Sequence, residues 1–501
     1  MNDIISRTGI DEALAGGRIL VLDGAMGTML QRLNLGEEDF SRGLPSGSGR
    51  GLKGDNECLN LTRPDVIRRI HDEYIAAGAD IIETNTFGAN SVAQAEYGLG
   101  GMAFSMALEG ARIARAAADE AFSRTGRRVF VAGSVGPTSK SLSLSPSIDD
   151  PAQRPVSFDE MAEAYYGQMR GLILGGADVI MLETCFDALN VKAAIYALER
   201  LLDDKDFISS EGVAGRLAAG GHFPLMVSAT VSDRSGRTLT GQTLEAFYTS
   251  VSHYPLTAFG LNCSLGADEM YPMLKEVASF ARCPVSCHPN AGLPDGLGNY
   301  AETPAETARA IRRMAADGLL NIAGGCCGTT PEHIRAIAET VKPLAARPLP
   351  TARAEGYGLA PLDVSGLETA HIDLKTRNFT NVGERTNVAG SRKFARLIAA
   401  GDYAEGLRIA AGQIEGGAEI IDINMDDAML DSTKEMRAFI RHISGDPAVA
   451  RAALMIDSSH WDTILAGLKN AQGKSIVNSI SLKEGEAAFL AKAREISRLG
   501  A

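Results

Sequence analysis

Short apolar runs alternate with stretches of helical periodicity along most of the chain, and this rhythm constrains the fold more than any other feature. Eight strands are predicted before residue 330, at Arg18–Leu22, Ala79–Thr84, Arg128–Gly133, Ala177–Glu183, Pro224–Ala229, Thr257–Asn262, Pro284–His288 and Leu319–Ala323. Helices are predicted between them, among others at Asp65–Ala77, Met102–Ser123, Asp159–Gly175 and Pro331–Leu344. Strands that alternate with helices form a parallel sheet, and eight such units indicate an α/β fold of the (βα)8 TIM-barrel type.

A second, shorter run of the same rhythm follows a change in composition. Residues 344–371 carry several prolines with scattered Ala and Gly, which predicts a linker without regular elements. Four further strands are predicted beyond it, at Asn378–Gly383, Glu419–Asn424, Ala453–Asp457 and Ser475–Asn478. We therefore expect a first domain at 1–343, a linker at 344–371 and a second barrel at 372–501. Because four βα units are half a barrel and would leave two strand edges open, we expect the second barrel to be incomplete.

Charge and cysteine content restrict the partners and the compartment. The 501 residues carry 49 Lys and Arg against 62 Asp and Glu, a net charge of -13, with no basic stripe that would favour a nucleic-acid partner. Seven cysteines, a sparse and odd number, favour a reducing compartment. The chain start has no apolar signal core, and no apolar run approaches the roughly 18 residues that span a bilayer. We expect a cytoplasmic protein with no membrane partner.

Three cysteines stand where a barrel places its active site. Cys263 follows the sixth predicted strand, and the adjacent Cys326 and Cys327 follow the eighth, in a glycine-rich turn. Since the seventh strand lies between those two, the three sulfurs can converge at the carboxyl ends of the strands. Zinc held by three protein ligands keeps a fourth position for water or substrate. We predict a zinc site here, with the amide oxygen of Asn290, after the seventh strand, as a provisional fourth ligand.

Other titratable groups near the strand ends are open to structural interpretations. Free cysteine is often a small core residue, and this is the interpretation for the remaining four, Cys58, Cys185, Cys283 and Cys287. His288 is expected to be a hydrogen-bonded wall of the pocket rather than a ligand. Glu83 and Glu183 could form salt bridges at the rim. Asp457 and Asn478 could cap helices, a position that Asp and Asn favour.

Seven motifs give the chain a specific resemblance. They are Leu22-Asp-Gly-Ala-Met-Gly-Thr28, Asp80-Ile-Ile-Glu-Thr-Asn-Thr-Phe87, Gly260-Leu-Asn-Cys-Ser-Leu-Gly266, His288-Pro-Asn-Ala-Gly-Leu-Pro294, Gly324-Gly-Cys-Cys-Gly-Thr-Thr-Pro331, Asn381-Val-Gly-Glu-Arg-Thr-Asn387 and Ile420-Ile-Asp-Ile-Asn-Met-Asp426. With them the chain resembles the amino-terminal part of the cobalamin-dependent methionine synthase family over its whole length. The resemblance implies that the first barrel binds homocysteine on zinc through Cys263, Cys326 and Cys327. It implies that the second barrel binds 5-methyltetrahydrofolate in a pterin pocket formed by Glu384, Asn387, Asp422, Asn424, Asp457 and Asn478.

Homocysteine is an amino-acid zwitterion, so its pocket needs an anionic and an amide-rich side. Glu83 and Glu183 are the candidates for its ammonium group, and Asp23 could fix either the amine or the neighbouring turn. The glycine-rich turn at 24–27 could present N–H groups to the carboxylate, as such turns do for anions. The predicted homocysteine-binding residues are Asp23, Gly24, Ala25, Glu83, Ser134 and Glu183.

The resemblance also has a limit. In the family the pterin barrel has eight strands and is followed by cobalamin-binding and activation modules, whereas the Asp-x-His-x-x-Gly motif that ligates cobalamin is missing from these residues. The expected function is zinc-dependent S-methylation of homocysteine, with the methyl group taken from 5-methyltetrahydrofolate through methylcobalamin on a separate module or polypeptide. One alternative is a cobalamin-independent enzyme that uses betaine or S-methylmethionine, against which the Glu384-Arg-Thr-Asn387 motif speaks. The other is a catalytically idle zinc-binding fragment.

Overall fold

The first part of the chain forms a closed parallel barrel. A computed structural model describes residues 9–45, 51–210, 212–218, 220–295, 300–350 and 361–501. The barrel strands are β1 Leu20–Val21, β2 Ile81–Glu83, β3 Phe130–Val135, β4 Val179–Cys185, β5 Leu225–Ala229, β6 Ala258–Gly266, β7 Val285–Asn290 and β8 Ile322–Ala323. They lie in the order β1-β8-β7-β6-β5-β4-β3-β2, and a parallel bridge between Leu22 and Ile81 closes the circle. The predicted (βα)8 barrel is confirmed.

Fourteen α-helices are described around this barrel. They are α1 Ile10–Ala15, α2 Met26–Gln31, α3 Glu37–Ser41, α4 Leu59–Thr62, α5 Pro64–Ala77, α6 Ser91–Gln94, α7 Ala103–Thr125, α8 Phe158–Gly175, α9 Ala188–Asp203, α10 Lys205–Ile208, α11 Leu244–Val251, α12 Ala267–Phe280, α13 Pro304–Ala316 and α14 Pro331–Val341. Local sequence fixes several ends: Ser157 and Thr303 cap α8 and α13 through capping boxes, and Gly78 ends α5 at φ 111°. None of the helices in the described part of the chain is long and apolar enough to cross a membrane.

The barrel is filled at its amino-terminal end. Residues at or near the starts of the strands, such as Leu20, Phe130 and Val179, form one buried apolar cluster. Ile10 and Leu14 of α1 belong to the same cluster, so this helix covers the bottom of the barrel. The functional residues are therefore expected at the opposite, carboxyl-terminal end.

The second sheet has four parallel strands in the order β11-β12-β13-β14. Its elements are β11 Val382–Gly383, α15 Arg392–Ala399, α16 Tyr403–Glu415, β12 Ile420–Asn424, α17 Ser432–Ser444, α18 Pro447–Ala450, β13 Ala453–Asp457, α19 Trp461–Leu468, β14 Ile476–Asn478 and α20 Glu486–Arg498. All four strands match the predicted ones. The exact domain bounds at residues 343 and 372 stay predictions.

The segment predicted to be a linker without elements contains a β-hairpin, so that prediction was wrong for its last part. Strand β9, Leu362–Ser365, pairs antiparallel with β10, Thr369–Ile372, while residues 351–360 lie outside the described part. Val364 is 1 % exposed and packs with Ile420 and Ala453, the first residues of β12 and β13. Packing against the second sheet stabilises two strands that are too short to be predicted from their own alternation.

Buried polar contacts join the barrel to the second sheet. Lys192 of α9 is fully buried, and its Nζ donates to the carbonyl oxygens of Ala471 at 3.1 Å and Gly473 at 3.0 Å. Gln472 Nε2 donates to Gln242 Oε1 at 3.0 Å. Burial lowers the pKa of Lys192 to about 7. Since unpaired buried donors cost free energy, these bonds specify how the loop before β14 sits on the barrel.

The close contact between the hairpin and this loop yields a stability prediction. A Cβ on Gly473 would lie 1.9 Å from the carbonyl oxygen of Ser365. Gly473→Ala therefore forces the hairpin away, and we expect a loss of about 2 kcal/mol or more in the free energy of unfolding, measured by urea denaturation. Gly412→Ala in α16 is the matched control, because a Cβ there meets nothing within 4 Å. It should leave stability unchanged or raise it by up to about 1 kcal/mol; equal effects of the two changes would contradict the packing described.

Candidate metal centre and substrate pockets

Three cysteine sulfurs converge at the carboxyl-terminal end of the barrel. The Sγ atoms of Cys263, Cys326 and Cys327 all lie within 4.8 Å of one another, and those of Cys263 and Cys327 are 4.0 Å apart. Zn–S bonds of about 2.3 Å in a tetrahedral site place two sulfurs about 3.8 Å apart. The three thiols thus fit one tetrahedral ion with a fourth position open. In the described part of the chain, no other group of three or more His, Cys, Asp or Glu residues meets the same distance limit.

Unusual backbone conformations bring the sulfurs together. Cys263 and Ser264 have φ of 62° and 63°, a left-handed conformation that costs free energy for residues other than glycine. The register between β6 and β7 shifts at this point, between Asn262 and Gly266. On the other side, a Cβ on Gly325 would lie 2.5 Å from Thr329 Oγ1, and Gly328 has φ of 81°. Glycine is needed at both positions, at Gly325 because a side chain would meet Thr329 and at Gly328 because the backbone is left-handed.

The three thiols share protons through hydrogen bonds. Cys327 accepts from Cys263 and Cys326, and these bonds lower its pKa to about 3. Donation to Cys263 and Cys327 raises the pKa of Cys326 well above its ordinary value. A thiolate held among sulfurs in this way is ready to ligate a cation, because the thiolate is the metal-binding form of cysteine.

Two groups that contact the sulfurs were missed by the sequence analysis. Asn262 Nδ2 lies 3.8 Å from Cys326 Sγ, and the hydroxyl of Tyr300 hydrogen-bonds to Cys327. Asn262 immediately precedes Cys263, so its position next to a ligand was a usable signal. Tyr300 lies far from the cysteines in sequence, in the segment between β7 and α13, and carries no such signal.

The remaining cysteines and His288 lie outside the cluster. Cys58, Cys185 and Cys287 are buried and Cys283 is partly buried, in agreement with core roles. His288 is 1 % exposed, and burial lowers its pKa to about 3. Its Nε2 has no hydrogen-bond partner among the described residues, and its role as a hydrogen-bonded wall of the pocket stays a prediction. Asn290 Oδ1 is also buried without a described partner, while its role as a fourth ligand stays a prediction.

Three acidic side chains, those of Asp23, Glu83 and Glu183, cluster at the same end of the barrel. The backbone N–H of Glu83 donates to the Asp23 carboxylate at 3.1 Å, and Ser134 Oγ donates to Glu183. Burial, and then the neighbouring carboxylates, raise the pKa of Glu83 well above its ordinary value; burial raises that of Glu183 to about 7. Burial also raises the pKa of Asp23, with Glu183 adding to the effect. Burial and like charge, rather than salt bridges at a rim, set their electrostatics, and such a cluster favours a bound cation.

The glycine-rich turn after β1 is partly occupied by the protein itself. The N–H of Ala25 donates to Thr329 Oγ1 at 3.3 Å, so this amide already has a partner. A Cβ on Gly24 would lie 2.7 Å from the same oxygen, which explains the glycine. Tyr74 Oη donates to the carbonyl oxygens of Ala25 and Thr329 at 3.2 and 3.3 Å. Thr329 thus connects the turn to the Cys326 loop, which the sequence analysis did not foresee.

A second polar cluster lies at the carboxyl ends of β12 and β13. Asn387 Nδ2 donates to Asp422 Oδ2 at 3.3 Å, and Asn424 Nδ2 donates to Asp457 Oδ2 at 2.9 Å. Burial, and then the charge of Asp457, raise the pKa of Asp422 to about 7. The charge of Glu384 acts on both aspartates. Five of the six predicted pterin-pocket residues therefore lie together.

The sixth residue, Asn478, lies beside this cluster with a different exposure. It pairs in register with Asp457, but its side chain points to an exposed position at the end of β14. Neither residue caps a helix: the residue that precedes α19 is His460, and Ser481 caps the short turn that follows β14. The capping interpretation of Asp457 and Asn478 is therefore wrong.

Comparisons with known proteins agree with this division of the chain. Residues 20–341 match the profile of the Homocysteine S-methyltransferase family, and residues 383–500 match that of Pterin binding enzyme. Among solved structures, the chain is similar to the oxidized form of the homocysteine methyltransferase MmuM from Escherichia coli, with 21% identity, a TM-score of 0.49, and coverage of 65% of this chain and 97% of that one. The metallated form of MmuM gives 23% identity, a TM-score of 0.46, and coverage of 65% and 98%.

The cluster geometry predicts that loss of a clustered cysteine, but not of an outlying one, lowers metal binding. Cys326→Ala removes one of three converging sulfurs, so we expect the zinc content of the purified protein to fall from about one ion per chain to well below half, measured by atomic emission. Cys283→Ala is the control, because this partly buried thiol lies outside the cluster and should leave zinc unchanged. Full zinc occupancy in Cys326→Ala would contradict the assignment.

Proposed function

Because this chain belongs to the homocysteine S-methyltransferase family, we propose that it catalyses zinc-dependent methylation of homocysteine at sulfur to give methionine. The observation that carries the proposal is the convergence of Cys263, Cys326 and Cys327 beside a cluster of carboxyl groups at one end of the barrel. A match to pterin-binding enzymes in the same chain supports a folate as the ultimate methyl source.

The donor set of the cluster suits zinc. Three soft thiolates, within the distance limits of one tetrahedral ion, form a site of the open kind that leaves a fourth position for a substrate. When bound there, zinc would lower the pKa of the homocysteine thiol, which as a free thiol is about 8.5, and so keep it ionised at neutral pH.

The cluster of carboxyl groups supplies recognition of the amino-acid group. Asp23, Glu83 and Glu183 repel one another when ionised, and a bound ammonium group would relieve that repulsion. Ser134 holds the carboxylate of Glu183 in place. Because Asp23 and Glu183 are buried, the ammonium group loses its hydration on entry, and contacts with the carboxylates replace the lost water.

The polar cluster of the second sheet is proposed to bind the pterin ring of 5-methyltetrahydrofolate. Asp422 and Asp457 offer acceptors to the ring's N–H groups, while Asn387 and Asn424 bond to these aspartates and hold them in place. Asn478 at the end of the neighbouring strand would contact the ligand from the exposed side. The methyl group would then pass through methylcobalamin, carried by a module or polypeptide outside these 501 residues, in a cytoplasmic setting.

The proposal is tested by product formation. Zinc-loaded protein with homocysteine and free methylcobalamin should form methionine, detected by mass spectrometry, and Cys326→Ala should reduce the rate at least 100-fold, because the reacting sulfur loses its site. Methionine formed from betaine or S-methylmethionine without cobalamin would show instead that the methyl group comes directly from one of those two donors. No methionine from any of these donors by zinc-loaded protein would contradict the proposal.

The raised pKa of Asp422 predicts a pH dependence of folate binding. Both oxygens of the carboxylate are free to accept, and accept more strongly, when the group is ionised, so affinity for 5-methyltetrahydrofolate should rise as the pH increases through about 7, from 6 to 8. Isothermal titration should show a several-fold tighter dissociation constant at pH 8, and Asp422→Asn should abolish this dependence.

The control for the pH experiment is Asp427→Asn. Asp427 lies five residues further on and is exposed, with its Oδ1 accepting from the N–H of Met429. This variant should retain the wild-type pH dependence. An unchanged pH profile in Asp422→Asn would contradict the role given to that carboxylate.

A further inference from the structure

Each sulfur of the cysteine cluster receives a hydrogen bond from a protein group that is not a ligand. The pairs are Asn262 Nδ2 with Cys326 Sγ at 3.8 Å, the Tyr300 hydroxyl with Cys327, and the backbone N–H of Ser264 with Cys263. Two of the three donors are side chains and can be changed without altering the backbone. They lie on different elements and contact different sulfurs, so each can be tested by itself.

The orientation of Asn262 is fixed by its other partners. Its Oδ1 accepts from the backbone N–H of Thr184 at 2.9 Å and from Ser228 Oγ at 2.7 Å. Since a backbone N–H only donates, Oδ1 has to face Thr184, and the amide Nδ2 then faces Cys326. Asn262 is fully buried, and the two hydrogens of its amide have two acceptors, Thr184 Oγ1 at 2.8 Å and Cys326 Sγ at 3.8 Å.

The position of Tyr300 depends on a glycine in the cysteine loop. A Cβ on Gly328 would lie only 2.3 Å from Cγ of Tyr300, so the ring packs directly on the backbone next to Cys327. A backbone bridge between Tyr300 and Pro294 holds the residue from the other side. Packing of the ring on one side and the backbone bridge on the other therefore place the hydroxyl at the sulfur.

These donors bear on a problem of selectivity. The proposed site gathers four thiolates, three from the protein and one from homocysteine, and each could attack an electrophilic methyl group. A hydrogen bond to a thiolate holds part of the electron pair that would form the new bond, and so makes that sulfur a weaker nucleophile. A sulfur without such a bond reacts first.

We propose that Asn262 and Tyr300 are positioning residues that protect the cysteine ligands from methylation, so that the methyl group goes to homocysteine. The proposal rests on the proposed function and adds which residues direct the methyl group to the homocysteine sulfur. In the unwanted reaction, a cysteine thiolate forms an S–CH3 bond as the bond between the methyl group and its donor breaks. The electron pair of the broken bond stays on the donor. No proton or oxidant is needed.

Deuterated methyl iodide is a suitable probe, because attack by sulfur forms S–CD3 and releases iodide. Zinc-loaded wild type and variants are treated with it in the presence of homocysteine, and peptides with Cys263, Cys326 and Cys327 are analysed by mass spectrometry. Tyr300→Phe should raise labelling of Cys327, and Asn262→Ala that of Cys326, each by roughly three- to tenfold with the other two cysteines unchanged. If the two side chains had only a structural role, each change would alter the labelling of all three cysteines or the zinc content.

Matched controls remove a neighbouring hydroxyl without removing a sulfur donor. Ser228→Ala takes one partner from Asn262 but leaves the Thr184 N–H that sets the orientation of its amide, and Tyr271→Phe changes a tyrosine on α12 that bonds to Asp317. Both should label like wild type. If Asn262→Ala fails to retain zinc, the labelling of Cys327 in Tyr300→Phe relative to wild type decides whether the cysteine ligands are protected.

The outcomes separate this inference from the proposed function. Wild type that binds no zinc, or that fails to direct the label to homocysteine, contradicts the proposed function. Wild type that labels homocysteine while Tyr300→Phe labels Cys327 no more than wild type overturns the protection proposed here.

Discussion

The convergence of three sulfurs at one end of a closed barrel is the constraint on which the rest of the first unit depends. Strand order places β7 between β6, which carries Cys263, and β8, which leads into the loop of Cys326 and Cys327, but order alone does not aim the thiols at one point. That takes left-handed backbone at Cys263 and Ser264, and glycines in the loop of Cys326 and Cys327. Residues in such conformations cost of order 1–3 kcal/mol each and persist only where the surrounding fold determines them. Here the closed barrel, filled from below by α1, provides that rigidity.

Desolvation gives both clusters of acids their character. Asp23, Glu83 and Glu183 are crowded together with Asp23 and Glu183 buried, and Asp422 and Asp457 repeat the pattern on a smaller scale at the second sheet. A buried carboxylate next to another is costly until a donor or a cation arrives, so both places favour ligands rich in N–H groups. Lys192 illustrates the opposite use of burial: its ammonium donates to two carbonyl oxygens and joins the units without facing a ligand.

Much of this arrangement was predictable from sequence because it follows from periodicity and from position at strand ends. All twelve barrel-type strands and the three clustered cysteines were found in this way, whereas the residues of the second polar cluster were expected from the family resemblance. Contacts through space were not. The β9–β10 hairpin owes its existence to packing on the second sheet, and Tyr300 reaches Cys327 from a segment with no motif. Thr329 bonds to Ala25 across 304 residues, and no local pattern reports such a pair.

The most direct test of the central claim is the coordination of the metal, which zinc K-edge X-ray absorption measures. With zinc bound to the full chain, the account predicts three sulfur neighbours at about 2.3 Å and one lighter atom, and four sulfur neighbours after homocysteine is added. A spectrum with fewer than three sulfurs, or one that homocysteine leaves unchanged, would contradict it.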